Sequence, residues 1–354
     1  MMFDFQSIVI YLGLALLTFY IAKYAEFTNS RRAVWLIVFS FSLIAGLRAA
    51  SVGIDTKRYH DIFTNISIRQ TNKIFAIENG FIYICKGLLS LWNNNQFLIF
   101  LLGFVSYALC IFRLWKDRNY ISFRWAVLVY NVLFFSFSLN GLRQFIAVSI
   151  VFFATAFIRE GKYIKFAFAI LIASLFHLSA IAGFAYLFFE ILFFKYFELK
   201  RKLLIFSFIG ICGLFALSML SDVLNKYMGF FEDRVQSFGF MMLIKIALLV
   251  FSIILMGKLQ DSEERIFCSS SRYNYFIGLL LNSLSYFFMY MGRIGMYFYV
   301  FEAIYIGYWF KKKNQTVFEL LLKCAYVAIL LYYIYDSVTS GPNGEIPYRF
   351  FWQN

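Results

Sequence analysis

Apolar runs of about twenty residues, separated by short polar or basic stretches, recur along almost the whole chain. A helix crossing the hydrocarbon core of a bilayer needs roughly 20 mostly apolar residues. Runs of that kind cover residues 3–22, 33–47, 96–115, 121–139 and 142–158, and then 203–220, 240–257, 273–291, 294–310 and 317–335. The stretch 162–195 is too long for one crossing and carries basic clusters at both ends. It predicts two short spans meeting near His177, with lysines snorkelling at their inner ends. The segment 79–92 is shorter and would break the alternation of sides if it crossed. It therefore predicts an amphipathic or re-entrant segment on the outer side. The pattern as a whole predicts an all-α polytopic integral membrane protein, a single transmembrane domain over residues 1–354 with about twelve transmembrane helices.

Composition removes the soluble alternatives. Hydrophobic residues make up 62% of the chain and charged residues 15%, with a mean hydropathy of +0.72. Soluble domains average about 45–50% apolar and about 25% charged residues. The net charge is +14, which by itself would admit a nucleic-acid surface. The basic residues, however, cluster at alternate span ends: Lys23 with Arg31 and Arg32, Lys116 with Arg118, Arg159 with Lys162 and Lys165, Lys195 to Lys202, Lys258 to Arg272, and Lys311 to Lys313. The positive-inside rule makes that side cytoplasmic and puts both termini outside. The basic excess is then orientation, and no nucleic-acid partner is expected. The cysteines are scattered without a CxxC pair, so neither a metal site nor a disulfide framework is predicted, and no cofactor is expected. Both prolines, Pro342 and Pro347, lie in the tail, so the spans carry no proline kinks.

Candidate chemistry lies on the outer side, in the loops 48–78 and 221–239 and the periplasmic tail 336–354. The first loop is the richest, running Val52-Gly53-Ile54-Asp55-Thr56-Lys57-Arg58-Tyr59-His60-Asp61 directly after Gly46-Leu47-Arg48. Arg143 follows Asn140-Gly141 at the mouth of an apolar helix, and Arg293 stands in a Gly292-Arg293 break between two spans. Charge at membrane depth is costly and, where retained, faces a cavity or a partner. The topology rule also depletes basic residues from this side. Arg48, Arg143 and Arg293, with Arg58 and Arg234 in nearby loops, therefore point to an anionic ligand. Guanidinium grips phosphate oxygens with two parallel hydrogen bonds, which suits a pyrophosphate. His177 sits in the apolar stretch Ser174-Leu175-Phe176-His177-Leu178-Ser179-Ala180 on the same side. It reads either as a neutral core histidine or as a group for proton transfer or phosphate contact. His60, beside Asp61, reads as solvated. Glu190 and Glu302 lie within spans and read as hydrogen-bonded packing or gating residues. No outer DxD, GxSxG, P-loop, HExxH or dinucleotide fingerprint is present.

Five short elements resemble, in order, those of the EpsG-like Wzy polymerases. Gly46-Leu47-Arg48 with Val52 to Tyr59 is similar to that family's "R…vGtDt..Y" signature, and Glu78-Asn79-Gly80-Phe81 to its E-x-G-[FY] element. Asn140-Gly141-Leu142-Arg143-Gln144-Phe145-Ile146-Ala147 resembles its "N.iRQ.iA" helix start. Phe176-His177-Leu178-Ser179-Ala180 resembles "fH.Sa", and Arg293-Ile294 its late arginine. Ile54 stands where Thr is common and Asn79 where Pro is common.

The resemblance implies a multi-pass protein of the bacterial inner membrane that polymerises O-antigen, capsule or exopolysaccharide repeat units. It would work at the periplasmic face on glycans linked to undecaprenyl pyrophosphate, without a metal, among membrane lipids and alongside a chain-length regulator. In that chemistry Arg48, Arg143 and Arg293 would hold the pyrophosphate, with Arg58 behind them and Gln144 beside Arg143. His177 is the first choice of general base and Asp55 the second, while Tyr59 and Tyr297 would meet sugar rings or hydroxyls. Two other functions use some of the same features. A flippase for the same lipid-linked sugar would need charges able to hand the pyrophosphate across the membrane. A membrane O-acyltransferase would need its histidine at a cytoplasmic acyl-donor site.

Overall fold

The computed structural model describes residues 4–70, 77–189, 240–255, 262–285, 289–312 and 316–353. Every regular element among them is helical, apart from one isolated antiparallel bridge between Arg48 and Phe350. Five of these helices are long and apolar enough to cross a membrane: Phe5–Thr28, Asn95–Lys116, Phe123–Asn140, Leu142–Arg159 and Val317–Thr339. Each falls on an expected span. The stretches Tyr163–Phe176, Leu178–Leu187 and Leu243–Ser252 are apolar but shorter. A count of about twelve crossings is not reached among the described residues. The expected span 203–220, the outer loop 221–239, Glu190 and Arg234 lie outside them.

Local chemistry sets the helix ends. Asp4 caps α1 (Phe5–Thr28) by accepting the Ser7 N–H at 3.0 Å, and Asn29 ends it in the left-handed conformation, φ 52°. Asparagine tolerates that conformation because its short polar side chain bonds locally. One residue later Ser30 caps α2 (Arg31–Gly46) through the Ala33 N–H. At its far end α2 meets the start of α5 (Asn95–Lys116), where a Cβ on Gly46 would lie 2.7 Å from Phe100. α6 (Phe123–Tyr130) runs through a π-helical stretch, Asn131–Phe135, into α7 (Ser136–Asn140). The wider π-turn rotates the last turn relative to the first, as such insertions do near functional sites. α8 (Leu142–Arg159) and α9 (Tyr163–Phe176) form the next pair, and the chain breaks at His177 as expected. A 3-10 turn, Leu178–Gly183, and the short α10 (Phe184–Phe189) follow.

Two ends of the bundle result. Arg113 and Arg159 share Asp117, Lys116 pairs with Glu160, and Lys311 reaches the Arg118 carbonyl at 2.9 Å, all at one end. The start of α8, the end of α9 and the junction of α2 with α5 lie at the other.

The late helices differ from expectation. α11 (Phe240–Leu255) is followed by α12 (Ser262–Leu284) and α13 (Met289–Tyr299), and α13 runs back along α12. Gly292-Arg293 is therefore not a break between spans but lies inside α13. The region 294–310 is also not one helix, because the chain is interrupted at Val300 before α14 (Phe301–Lys311). Glycine here serves close approach and not helix breaking. A Cβ on Gly278 would lie 2.4 Å from the backbone nitrogen of Tyr299, and one on Gly295 would lie 3.0 Å from Leu281. Gly278→Ala is accordingly expected to pry the two helices apart. Overpacking of this kind costs about 1–3 kcal/mol, read as a lower melting temperature of the purified protein in detergent. Gly13→Ala, which meets nothing within 4 Å, should melt like the wild type.

Glu302 pairs with Lys245 at 3.0 Å, both fully buried, and accepts the Tyr326 hydroxyl at 2.5 Å from α15 (Val317–Thr339). Lys245 also reaches the Tyr299 hydroxyl at 2.5 Å. The pair ties α11, α14 and α15 together, as buried charges must when no water can solvate them. Lys245 carried no signal of this in the sequence.

Candidate active site

The end of the bundle opposite the basic cluster is built on the tail. After α15 the chain turns back and pairs with the segment that follows α2. Ala49 donates to the Arg349 carbonyl at 2.8 Å, Phe351 to Leu47 at 2.9 Å, and Gly53 to Gly344 at 2.7 Å. Gly53 holds φ 89° and Gly344 φ 70°, a region that L side chains rarely enter. Asn140, at the end of α7, joins both strands of this connection. It accepts the Ile54 N–H at 2.6 Å and donates to the Asn343 carbonyl at 2.7 Å. Glu345 is wholly buried and accepts from the Ser136 and Ser337 hydroxyls and the Asn343 N–H, all within 2.8 Å. The tail is thus part of the frame that aims the residues at this end of the bundle.

Arg48 belongs to the same frame. It is 1% exposed. Its guanidinium donates to Thr56 Oγ1 at 3.2 Å, to the Leu139 carbonyl at 3.0 Å and to the Ala45 carbonyl. Those acceptors are the chain's own. α3 (Thr56–Ser67) starts from this frame. Arg58 is exposed and Asp55 half-buried on its outer side, and neither side chain makes a hydrogen bond among the described residues. Tyr59 is buried and points inward, its hydroxyl facing the Arg143 backbone N–H at 3.4 Å.

α4 (Asn79–Leu91) has 13 residues, a length of about 20 Å. That is too short to cross a bilayer. It buries Phe81, Cys85 and Leu89 on one stripe and exposes Tyr83 and Leu91, the amphipathic pattern expected of the segment 79–92. Gly80 lets its first turn press on the end of α9, where a Cβ would lie 2.7 Å from Leu175. That contact delivers Glu78, the residue before α4, to His177.

Glu78 is the centre of the site. One carboxylate oxygen faces His177 Nδ1 at 2.9 Å and accepts the Leu178 N–H at 3.1 Å. The other pairs with Arg143, whose guanidinium also lies 5.9 Å above the Phe81 ring. Partial burial would raise the Glu78 pKa, but the His177 and Leu178 hydrogen bonds and the Arg143 charge outweigh it and hold it down to about 2. The carboxylate is therefore ionised at neutral pH. Among the described residues Arg143 Nε is buried without a hydrogen-bond partner, an unusual state for a buried donor.

α13 closes the other side. Gln144 donates to the Arg293 carbonyl at 2.8 Å, and Ser179, two residues past His177, meets the Tyr297 hydroxyl at 3.0 Å. Tyr297 is buried, whereas the Arg293 side chain is exposed. Four of the sequence-predicted residues, Arg143, Gln144, His177 and Tyr297, thus gather in one cluster, with Tyr59 behind Arg143 and Arg293 attached through its backbone. Asp55 is half-buried at the start of α3, Arg58 is exposed, and Arg48 is inside the frame. In the sequence Glu78 stands out only as the first residue of the E-x-G-[FY]-like element and carries no assigned role, since its partners are 65 and 99 residues away. Among the described residues no three histidine, cysteine or carboxylate groups gather as metal ligands would.

No curated protein and no solved structure matches this chain. A family model does, that of the EpsG family, over residues 31–350. The match takes in most of the tail segment, Glu78, Arg143, His177 and Arg293 alike, and is nearly as long as the chain. With its long apolar helices, this is a membrane protein of polysaccharide biosynthesis, and it belongs to the EpsG family.

Proposed function

We propose that the protein is a glycosyltransferase of the polymerase kind. It transfers a growing glycan from undecaprenyl pyrophosphate to the terminal sugar of a new lipid-linked repeat unit, at the periplasmic face of the bacterial inner membrane. The observation that carries this reading is the meeting of Arg143 and His177 at one end of the bundle, joined through Glu78. Family membership supplies the chemical setting.

The reaction needs two things from the chain. An acceptor hydroxyl attacks the anomeric carbon of the donor, the bond from that carbon to the pyrophosphate oxygen breaks, and the pyrophosphate leaves with the electron pair. Fixed positive donors stabilise that departing charge. Arg143 fits the task because Glu78 fixes its guanidinium beside His177. Arg293, on the exposed side of α13, adds a second cation, and Arg58 a third on the rim. The acceptor hydroxyl loses its proton to a base, and His177 is that base in this reading, with Asp55 the other choice. Tyr59, Gln144 and Tyr297 line the place where sugar hydroxyls would lie. Arg48 is assigned to the frame. A chain-length regulator is the protein partner this reaction calls for, and membrane lipids surround the bundle.

The test is the surface glycan profile of a strain lacking the gene. A polymerase loss leaves lipid bearing a single repeat unit. A surface without any repeat unit would instead make the protein a flippase, and a normal ladder would remove it from chain assembly.

A further inference from the structure

One carboxylate serves both Arg143 and His177, and its two oxygens are divided between them. An ionised carboxylate accepts hydrogen bonds and donates none. The hydrogen in the 2.9 Å contact between Glu78 and His177 Nδ1 therefore belongs to the imidazole. In water a neutral imidazole prefers its hydrogen on Nε2, so the carboxylate reverses the preference. The bond made by one ring nitrogen sets what the other can do.

We propose that Glu78 is a positioning residue that holds His177 in the Nδ1–H tautomer and so leaves the Nε2 lone pair free to take a proton. The inference rests on the reading of His177 as the base given above. Its geometry is independent of that reading.

The surroundings keep the carboxylate where this needs it. Leu178 N–H binds the same oxygen that faces His177, fixing its direction, and Arg143 anchors the second oxygen. His177 ends α9 with an extended backbone, φ −155° and ψ 119°, between the buried Phe176 and Ala180, so the ring is carried on a short, pinned segment. The charged and titratable groups that face this pair are Arg143 from α8, Tyr59 from α3 behind it, and Tyr297 from α13 through Ser179. Glu78 itself supplies the only carboxylate in hydrogen-bond reach of the ring among the described residues.

The chain has two histidines, His60 and His177, which makes the tautomer directly readable. In a His60→Gln variant labelled with 15N-histidine, His177 is the sole imidazole signal. The expected spectrum of the full-length protein at neutral pH shows a protonated Nδ1 and an unprotonated Nε2. Adding Glu78→Ala should move the population to Nε2–H and reduce polymer yield by about 10- to 100-fold, the usual effect of removing a partner that orients a functional histidine. Nε2–H predominating with Glu78 intact would overturn the proposal, and that spectrum alone decides it if the Glu78→Ala protein does not fold. So would a tautomer unchanged by Glu78→Ala. A correct tautomer in a protein whose His177→Gln variant still polymerises would instead sink the catalytic reading and leave the positioning of the ring standing.

Discussion

Replacing Arg143 with alanine is expected to stop chain growth, leaving lipid with a single repeat unit and lowering polymer yield by at least about 100-fold. The size follows from its position. A fixed donor aimed at developing negative charge in a water-poor site is worth about 10²–10³ in rate, and Arg143 is held by Glu78 with its Nε buried and unpartnered among the described residues. Arg143→Lys separates charge from shape. Lysine brings one positive point where arginine brings a fork, so a pyrophosphate gripped by two parallel bonds should lose most of its hold. The lysine variant should therefore fall between wild type and alanine, at roughly a tenth of normal yield. Each variant also loosens Glu78, so membrane protein level and melting temperature must be read alongside the ladder. Full-length polymer at normal protein level in the alanine variant would show that Arg143 does not bind the leaving group. Arg293→Ala should fall short of that loss, because its exposed side chain sees more water and salt.

Most long helices were legible from the sequence, because an uninterrupted apolar run at span length admits little else. Residues 96–115, 142–158 and 317–335 became helices within a few residues of those bounds. The break at His177 was legible for a related reason. Basic clusters flank a stretch too long for one crossing, and the polar residues sit midway. The hairpin of α12 and α13 was not. A glycine reads the same whether it ends a helix or lets a neighbour close in, and only the partner backbone, 2.4 Å from a Cβ at Gly278, decides which. The arginines show the same limit. Arg48 and Arg143 both stand at outer span ends, yet one donates to carbonyls of its own frame and the other to a carboxylate beside a histidine. Ala45 is a near neighbour in sequence, but Leu139 and Glu78 lie 91 and 65 residues from the arginines they meet. The tail was legible least of all, since Glu345 looks like a solvated acid until Ser136 and Ser337 are seen around it.

His177→Gln carries the second large effect. General-base catalysis contributes about 10²–10⁴ in rate, so polymer beyond one repeat unit should fall by at least about 100-fold. Glutamine is the informative replacement because its amide can still donate to Glu78 while offering no basic nitrogen. The Glu78–Arg143 pair then survives, and protein level and melting temperature should stay near wild type. That combination, intact fold with lost chain growth, is what a base predicts and a packing histidine does not. A packing histidine predicts the reverse, lower stability with chain length unchanged. Asp55→Asn supplies the comparison. Asp55 is half-buried at the start of α3, with no side-chain hydrogen bond among the described residues, so nothing positions it as Glu78 positions His177. The asparagine variant should therefore keep most of its chain growth. Normal chain length in His177→Gln together with its loss in Asp55→Asn would transfer the base to the rim of the site, and the acceptor sugar with it.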